Sequence, residues 1–166
     1  MPVVLRSIRS ADIPQIAVLN AAAVPAVSLA TESELGVLLG FSHLAIVAVD
    51  AADAPLVGFL ICMQPGSDYA SENYRYFESR GTDHLYVDRI VVADGARGLG
   101  IGRQLYDSVF GLAQAEGRAE VTCEVNLDPP NPESLAFHAR LGFERIGEQA
   151  TKNATVTVAL LAAPVR

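Results

Sequence analysis

The stretch Ala93–Phe110, "ADGARGLGIGRQLYDSVF", constrains this chain most. Gly98, Gly100 and Gly102 stand at alternate positions directly before a helical pattern, with Arg97 and Arg103 on either side. The preceding run "HLYVDRIVV" (84–92) reads as a strand. Leu105, Val109, Leu112 and Ala113 form the apolar stripe of a helix reaching Glu116, with Gly117 placed to end it. The first amides of a helix have no intrahelical acceptor. Together with the helix dipole they favour an anion, phosphate above all. Glycine removes side chains that would block its approach. The segment therefore reads as a phosphate or pyrophosphate cradle with arginines at its rim. It is not a Walker A loop, because no Gly-Lys-Ser/Thr follows. Nor is it a G-x-G-x-x-G dinucleotide turn, because Arg103 stands where the third glycine is needed.

The rest of the chain places this opening inside a mixed α/β pattern. Residues 3–9 read as a strand. Residues 12–22 read as a helix capped by Asp12, and "TESELGVLLG" as a second helix opened by Thr31 and stopped at Gly40. The apolar runs 43–50 and 56–64 read as a hairpin. Residues 65–83 break the pattern and hold Tyr69, Tyr74, Tyr76 and Phe77, a long aromatic loop with a helical turn. "AEVTCEVN" (119–126) is a strand stopped by "LDPPNP". "ESLAFHARLG" is a helix bounded by Pro132 and Gly142, and two strands follow. The chain shows no repeat and no linker, so a single mixed α/β domain over residues 1–166 is expected.

Composition sets the class. Of 166 residues, 51% are hydrophobic, enough for a real core. The net charge of −7 leaves no basic stripe for phosphate backbones, so no nucleic-acid partner is expected. The basic side chains gather late: residues 1–83 hold four against nine acidic ones, residues 84–166 eight against ten. Cys62 and Cys123 each fall in a predicted strand and make neither a disulfide framework nor a metal site. The start lacks a basic segment followed by a long apolar run, and no stretch of about 18 apolar residues occurs. A cytoplasmic protein with no membrane partner is the expectation.

Arg97-Gly98-Leu99-Gly100-Ile101-Gly102 fits R-x-x-G-x-G and resembles motif A of the GNAT superfamily of acetyl-CoA-dependent N-acetyltransferases. "NPESLAFHARLGFE" is similar to the same family's segment after the fifth strand, matching at Asn131, Ser134, Phe137, Gly142 and Phe143. The element order also resembles the family's, so the likeness covers nearly the whole chain. It implies a central, mostly antiparallel sheet of about seven strands, splayed between the fourth and fifth and flanked by about four helices. It implies acetyl-CoA in that gap, with the backbone of Ile90, Val91 and Val92 pairing with the pantetheine arm. The amides from Gly98 to Arg103 would hold the pyrophosphate, and Asn131, Ser134 and Phe137 would flank the thiol end.

The resemblance also implies direct attack of an amine on the thioester. Where the family places an acidic tyrosine, four residues before the Gly-Phe pair, this chain has His138. Imidazole serves there either as acid or contact to the cofactor, or as packing. Glu124, in "CEVN", resembles the base of the peptide N-terminal members; by composition alone it also reads as a solvated strand glutamate. Asp88, sharing a strand face with Tyr86 and Ile90, is the second carboxylate. Substrate would enter along Asn20, Val24, Tyr69, Tyr74, Tyr76 and Tyr86, a lining suited to a small-molecule or peptide amine. The aromatic loop reads equally as a lid or as a homodimer contact. A non-catalytic CoA-binding sensor or assembly module is the rival reading, kept open by His138. A nucleotide-binding oxidoreductase is weaker for want of the third glycine.

Overall fold

The computed structural model describes residues 3–51 and 54–166. Among these described residues seven strands run β1 (Val4–Ser7), β2 (Leu44–Val49), β3 (Leu56–Met63), β4 (His84–Val92), β5 (Glu120–Asp128), β6 (Glu144–Thr151) and β7 (Val156–Pro164). Five α-helices accompany them: α1 (Ile13–Ala22), α2 (Glu32–Phe41), α3 (Glu72–Ser79), α4 (Ile101–Glu116) and α5 (Pro132–Arg140). The strands form one mixed sheet in the order β1-β2-β3-β4-β5-β7-β6, with β4 parallel to β5. This is the α/β class expected from the sequence. Backbone contacts group the chain into two compact units, Met1–Met63 with Arg89–Val109, and Gln64–Asp88 with Phe110–Arg166.

In the first unit β1, β2 and β3 pair antiparallel. Pro14 sits in the first turn of α1, and Thr31 caps α2 by accepting the Glu34 amide at 3.1 Å. Asp12 does not cap α1 as the sequence suggested. Its carboxylate takes both arms of the Arg6 guanidinium at 2.7 and 2.8 Å, and the Arg9 amide at 2.7 Å. A bidentate guanidinium outbids a capping amide.

Those hydrogen bonds, Arg6 foremost, hold the Asp12 carboxyl below its ordinary range against the opposing effect of burial. A depressed native value adds stability that is complete above the unfolded-state value and is lost as the pH falls through the native one. Asp12→Asn is therefore expected to lower the thermal midpoint by several degrees at pH 7. That gap should close as thermal melts are taken down toward pH 2; a gap that persists there would show the carboxylate's charge to be immaterial.

In the second unit β5 pairs with β7 along almost its whole length, and β7 with β6. The parallel ladder of β4 and β5 joins His84–Tyr86 to Glu120–Thr122. The segment read as an aromatic loop carries α3, two turns long. Ser71 caps it through the Tyr74 amide at 3.2 Å, and Tyr74 and Phe77 bury one face. Edge strand β6 is mostly exposed and bears Glu144, Arg145 and Glu148, charges that discourage pairing with another chain.

Helices α4 and α5 end alike. Gly117 and Gly142 adopt φ of +73° and +94°. Arg118 N–H reaches Ala113 C=O at 2.9 Å, and Phe143 N–H reaches His138 C=O at 3.1 Å. Both are Schellman closures, which need a left-handed residue. The Gly-Phe pair is thus a helix stop, with Phe143 folded back onto the last turn.

Candidate active site

The glycine opening lies in the first unit. After β4, Ala93 N–H is held by Val57 C=O at 2.8 Å, and Asp94–Ala96 make a single 3-10 turn. Gly98 and Gly100 both have φ of +79°, and a Cβ on either would meet nothing within 4 Å. They are needed for backbone conformation rather than for room against protein atoms. The first hydrogen bond of α4 runs from Gln104 N–H to Gly100 C=O at 3.1 Å. The amides of Ile101, Gly102 and Arg103 precede it, so they have no intrahelical acceptor. Ile101 is buried, whereas Leu99 and Arg103 are exposed. Arg97 pairs with Asp94 at 3.2 Å, both well exposed, so its charge stands at the rim.

Gly58, on β3, is a site residue that the sequence reading missed. A Cβ there would lie 2.9 Å from the Val91 carbonyl, 3.5 Å from Ile101 and 3.6 Å from Leu105. Glycine therefore lets the end of β4 and the start of α4 close on β3, which fixes the cradle. An isolated glycine inside the apolar run "LVGFLICM" was the available signal. Val91 is buried, and Ile90 and Val92 are half-buried.

Asn20 is fully buried in this unit, donating to Ser28 C=O at 2.9 Å and accepting from Arg89 at 3.0 Å. It ties the loop after α1 to β4. Val24 stands exposed on that loop.

In the second unit the parallel register brings side chains from β4 and β5 together. His84, Tyr86 and Asp88 alternate onto one face of β4. Tyr86 opposes Thr122, which sets Glu124 diagonally across from it. The Tyr86 hydroxyl donates to Glu124 Oε2 at 2.7 Å, and the Tyr69 hydroxyl donates to Asp88 Oδ1 at 2.5 Å. Tyr86 is wholly buried. Desolvation, and then the Glu124 and Asp88 charges, push its hydroxyl well above the usual tyrosine range. It stays protonated and orients the glutamate. Asp88 and Glu124 are themselves half-buried. Two carboxylates, each fixed by a tyrosine hydroxyl, make a site that attracts a cation and can take a proton from it.

Tyr74 and Tyr76 do different work from Tyr69 and Tyr86. Tyr74 is buried, donates to Gln64 C=O at 2.5 Å and packs on Tyr69, Tyr86 and His84. Tyr76 leans on Phe77, and its hydroxyl fills the space a Cβ on Gly147 would need, 2.9 Å away.

Asn131 caps α5 by accepting the Ser134 amide at 3.4 Å. His138 lies one turn beyond Ser134 and is buried between Phe137 and Phe143, with ring centroids at 5.2 and 5.3 Å. His138 Nδ1 is 2.7 Å from the Ser134 carbonyl. A carbonyl only accepts, so Nδ1 carries the hydrogen and Nε2 presents a lone pair. Burial pulls the imidazole below its ordinary value, partly offset by that carbonyl. Among the described residues no group of three or more His, Cys, Asp or Glu is placed to hold a metal ion. Among the described residues no helix is long and apolar enough to cross a membrane.

A strand, a doubly left-handed glycine turn and a long helix, together with a seven-stranded sheet whose β4 and β5 run parallel, define the fold. Solved structures share it. Ard1 from Thermoplasma volcanium has a TM-score of 0.79 at 16% identity, covering 100% of this chain and 99% of that one. The ribosomal-protein-S18-alanine N-acetyltransferase of Escherichia coli has a TM-score of 0.73 at 16% identity, covering 99% and 94%. A phosphinothricin acetyltransferase from Sinorhizobium meliloti, solved with acetyl-CoA, has a TM-score of 0.73 at 23% identity, covering 99% and 89%. No curated protein matches the chain in sequence. The sequence model of the acetyltransferase (GNAT) family matches residues 22–143, and the chain belongs to that family.

Proposed function

We propose that this chain is an acetyl-CoA-dependent N-acetyltransferase acting on a primary amine, either a small molecule, an amino acid or a peptide N-terminus. The observation that carries it is the pair of tyrosine-bonded carboxylates, Asp88 and Glu124, on the face of β4 and β5. The cradle fits the cofactor: two left-handed glycines and three leading helix amides suit a pyrophosphate, with Arg97 and Arg103 at its edge. The backbone of Ile90, Val91 and Val92 would take the pantetheine arm, and Asn131, Ser134 and Phe137 would border its thiol end. When bound, acetyl-CoA supplies a thioester carbon that accepts the amine lone pair and releases a thiolate.

Glu124, anchored at Oε2 by Tyr86, takes the proton from the ammonium, and Asp88 holds that cation beside it. Tyr69 and Tyr86 position the carboxylates, and Tyr74 backs them from the core. His138, with its Nδ1 hydrogen committed to Ser134, acts as an acceptor and a packing group rather than as an acid. The family match draws residues from both compact units, and the chain is read as one functional domain. The buried cysteines Cys62 and Cys123, neither of them in a disulfide, suit a reducing cytoplasm.

The His138 tautomer also favours a second reading, a CoA-binding module without transfer, since it supplies no donor for the leaving thiolate. A panel of lysine, spermidine and alanine- or serine-initiated peptides, mixed with acetyl-CoA, separates the two. Thiol release well above the no-amine background is expected with at least one acceptor. Background release throughout, with CoA still binding by calorimetry, would favour the module.

A further inference from the structure

His84 is fully buried and is bonded on both ring nitrogens. Its Nε2 is 2.9 Å from Glu78 Oε1, and its Nδ1 is 2.8 Å from Thr122 Oγ1. A carboxylate only accepts, so Nε2–H donates to Glu78. The other oxygen of Glu78 accepts the Gly66 amide at 2.9 Å. Tyr74, on the same helix α3, grips the same segment twice, donating to Gln64 C=O at 2.5 Å and accepting from Ser67 N–H at 3.1 Å. Three residues past Gly66, Tyr69 donates to Asp88. The Tyr74 ring meets Tyr69 edge-on at 5.7 Å and His84 at 6.4 Å. A continuous chain thus runs from Thr122 through His84 and Glu78 to Gly66, and on to the Tyr69–Asp88 hydrogen bond.

We propose that His84 is a positioning residue: through Glu78 it fixes the Gly66–Tyr69 segment, and so sets the Asp88 carboxylate that meets the amine. The proposal rests on the reading of Asp88 as a substrate-facing carboxylate. Physically, a loop side chain gains catalytic precision only if its backbone is held. Here the holding groups lie on α3 and β4, elements with buried faces. Asp88 thereby inherits the rigidity of the core although Tyr69 itself sits on a loop.

Glu78→Gln is the test variant, because Glu78 is partly exposed and the amide keeps one acceptor for two donors; His84→Gln is its buried counterpart. In the full-length protein without ligand, hydrogen exchange at Gly66 to Tyr69 should quicken about tenfold in Glu78→Gln, with β5 and β7 unchanged. With acetyl-CoA and the most active amine of the panel, KM for the amine should rise about tenfold while KM for acetyl-CoA holds. Joined to Tyr69→Phe, Glu78→Gln should add less than about twofold, since both act through one contact. Unchanged exchange at Gly66–Tyr69, or fully additive kinetics, would overturn the proposal. Exchange needs no turnover, so it reads this link even if no amine is acetylated, an outcome that would count against the transferase reading instead.

Discussion

Gly100→Glu is expected to abolish binding of acetyl-CoA and of CoA. Gly100 has φ of +79°, and a Cβ there meets no protein atom within 4 Å, so a side chain has room to start. A glutamate would extend into the space beside the amides of Ile101, Gly102 and Arg103. Its carboxylate would then compete for those amides and repel a phosphate. At about 5 Å and an effective dielectric of about 20, each phosphate charge costs roughly 3 kcal/mol, more than a hundredfold in Kd. The left-handed backbone adds about 1–2 kcal/mol of folding strain for any non-glycine residue. Gly100→Ala therefore serves as the matched control, because it carries the strain without the charge. Calorimetric titration with CoA should show weak or undetectable binding to the glutamate variant and much better binding to the alanine variant. Equal losses in the two would trace the effect to backbone strain, and unchanged binding in both would remove the cradle from the cofactor site.

Much of this fold is written locally. Gly98 and Gly100 announce a left-handed turn, Asn131-Pro132 opens α5, and Gly117 and Gly142 close their helices at the residues where closure occurs. Such signals act within one turn of backbone and need no tertiary partner. Asp12 shows the limit of that logic: its composition says cap, but Arg6 on the neighbouring strand claims both carboxylate oxygens. Helix α3 was obscured differently. Its buried pair, Tyr74 and Phe77, is aromatic and sits among Glu, Asn and Arg, so the apolar stripe is only two residues long.

The site is harder to read because its bonds are long-range. Tyr69 and Asp88 are 19 residues apart, and Tyr86 and Glu124 are 38 apart. Each residue type pointed toward amine chemistry, but the β4–β5 register decides that Tyr86 meets Glu124, and the fold of the loop before α3 decides that Tyr69 meets Asp88. His84 had no chemical signal of its own; its part appears only when Glu78, six residues earlier, is seen to turn back on it.

Glu124→Gln is expected to lower kcat by about 10²–10³-fold, within the range that general-base catalysis supplies, while leaving CoA affinity unchanged. The substitution is nearly isosteric. The amide oxygen still accepts the Tyr86 hydroxyl, so the wholly buried tyrosine keeps its partner and the fold is not put at risk. What disappears is a group able to take the proton that the attacking nitrogen must shed. Asp88→Asn separates holding from proton transfer: loss of cation binding should raise KM for the amine more than it lowers kcat. Tyr86→Phe should fall between them, at about tenfold in kcat, because the carboxylate remains but is no longer aimed. Steady-state kinetics with saturating acetyl-CoA and a titrated amine distinguish these outcomes. A Glu124→Gln enzyme within about threefold of wild type in kcat would rule Glu124 out as the base and leave Asp88 to be tested in that role.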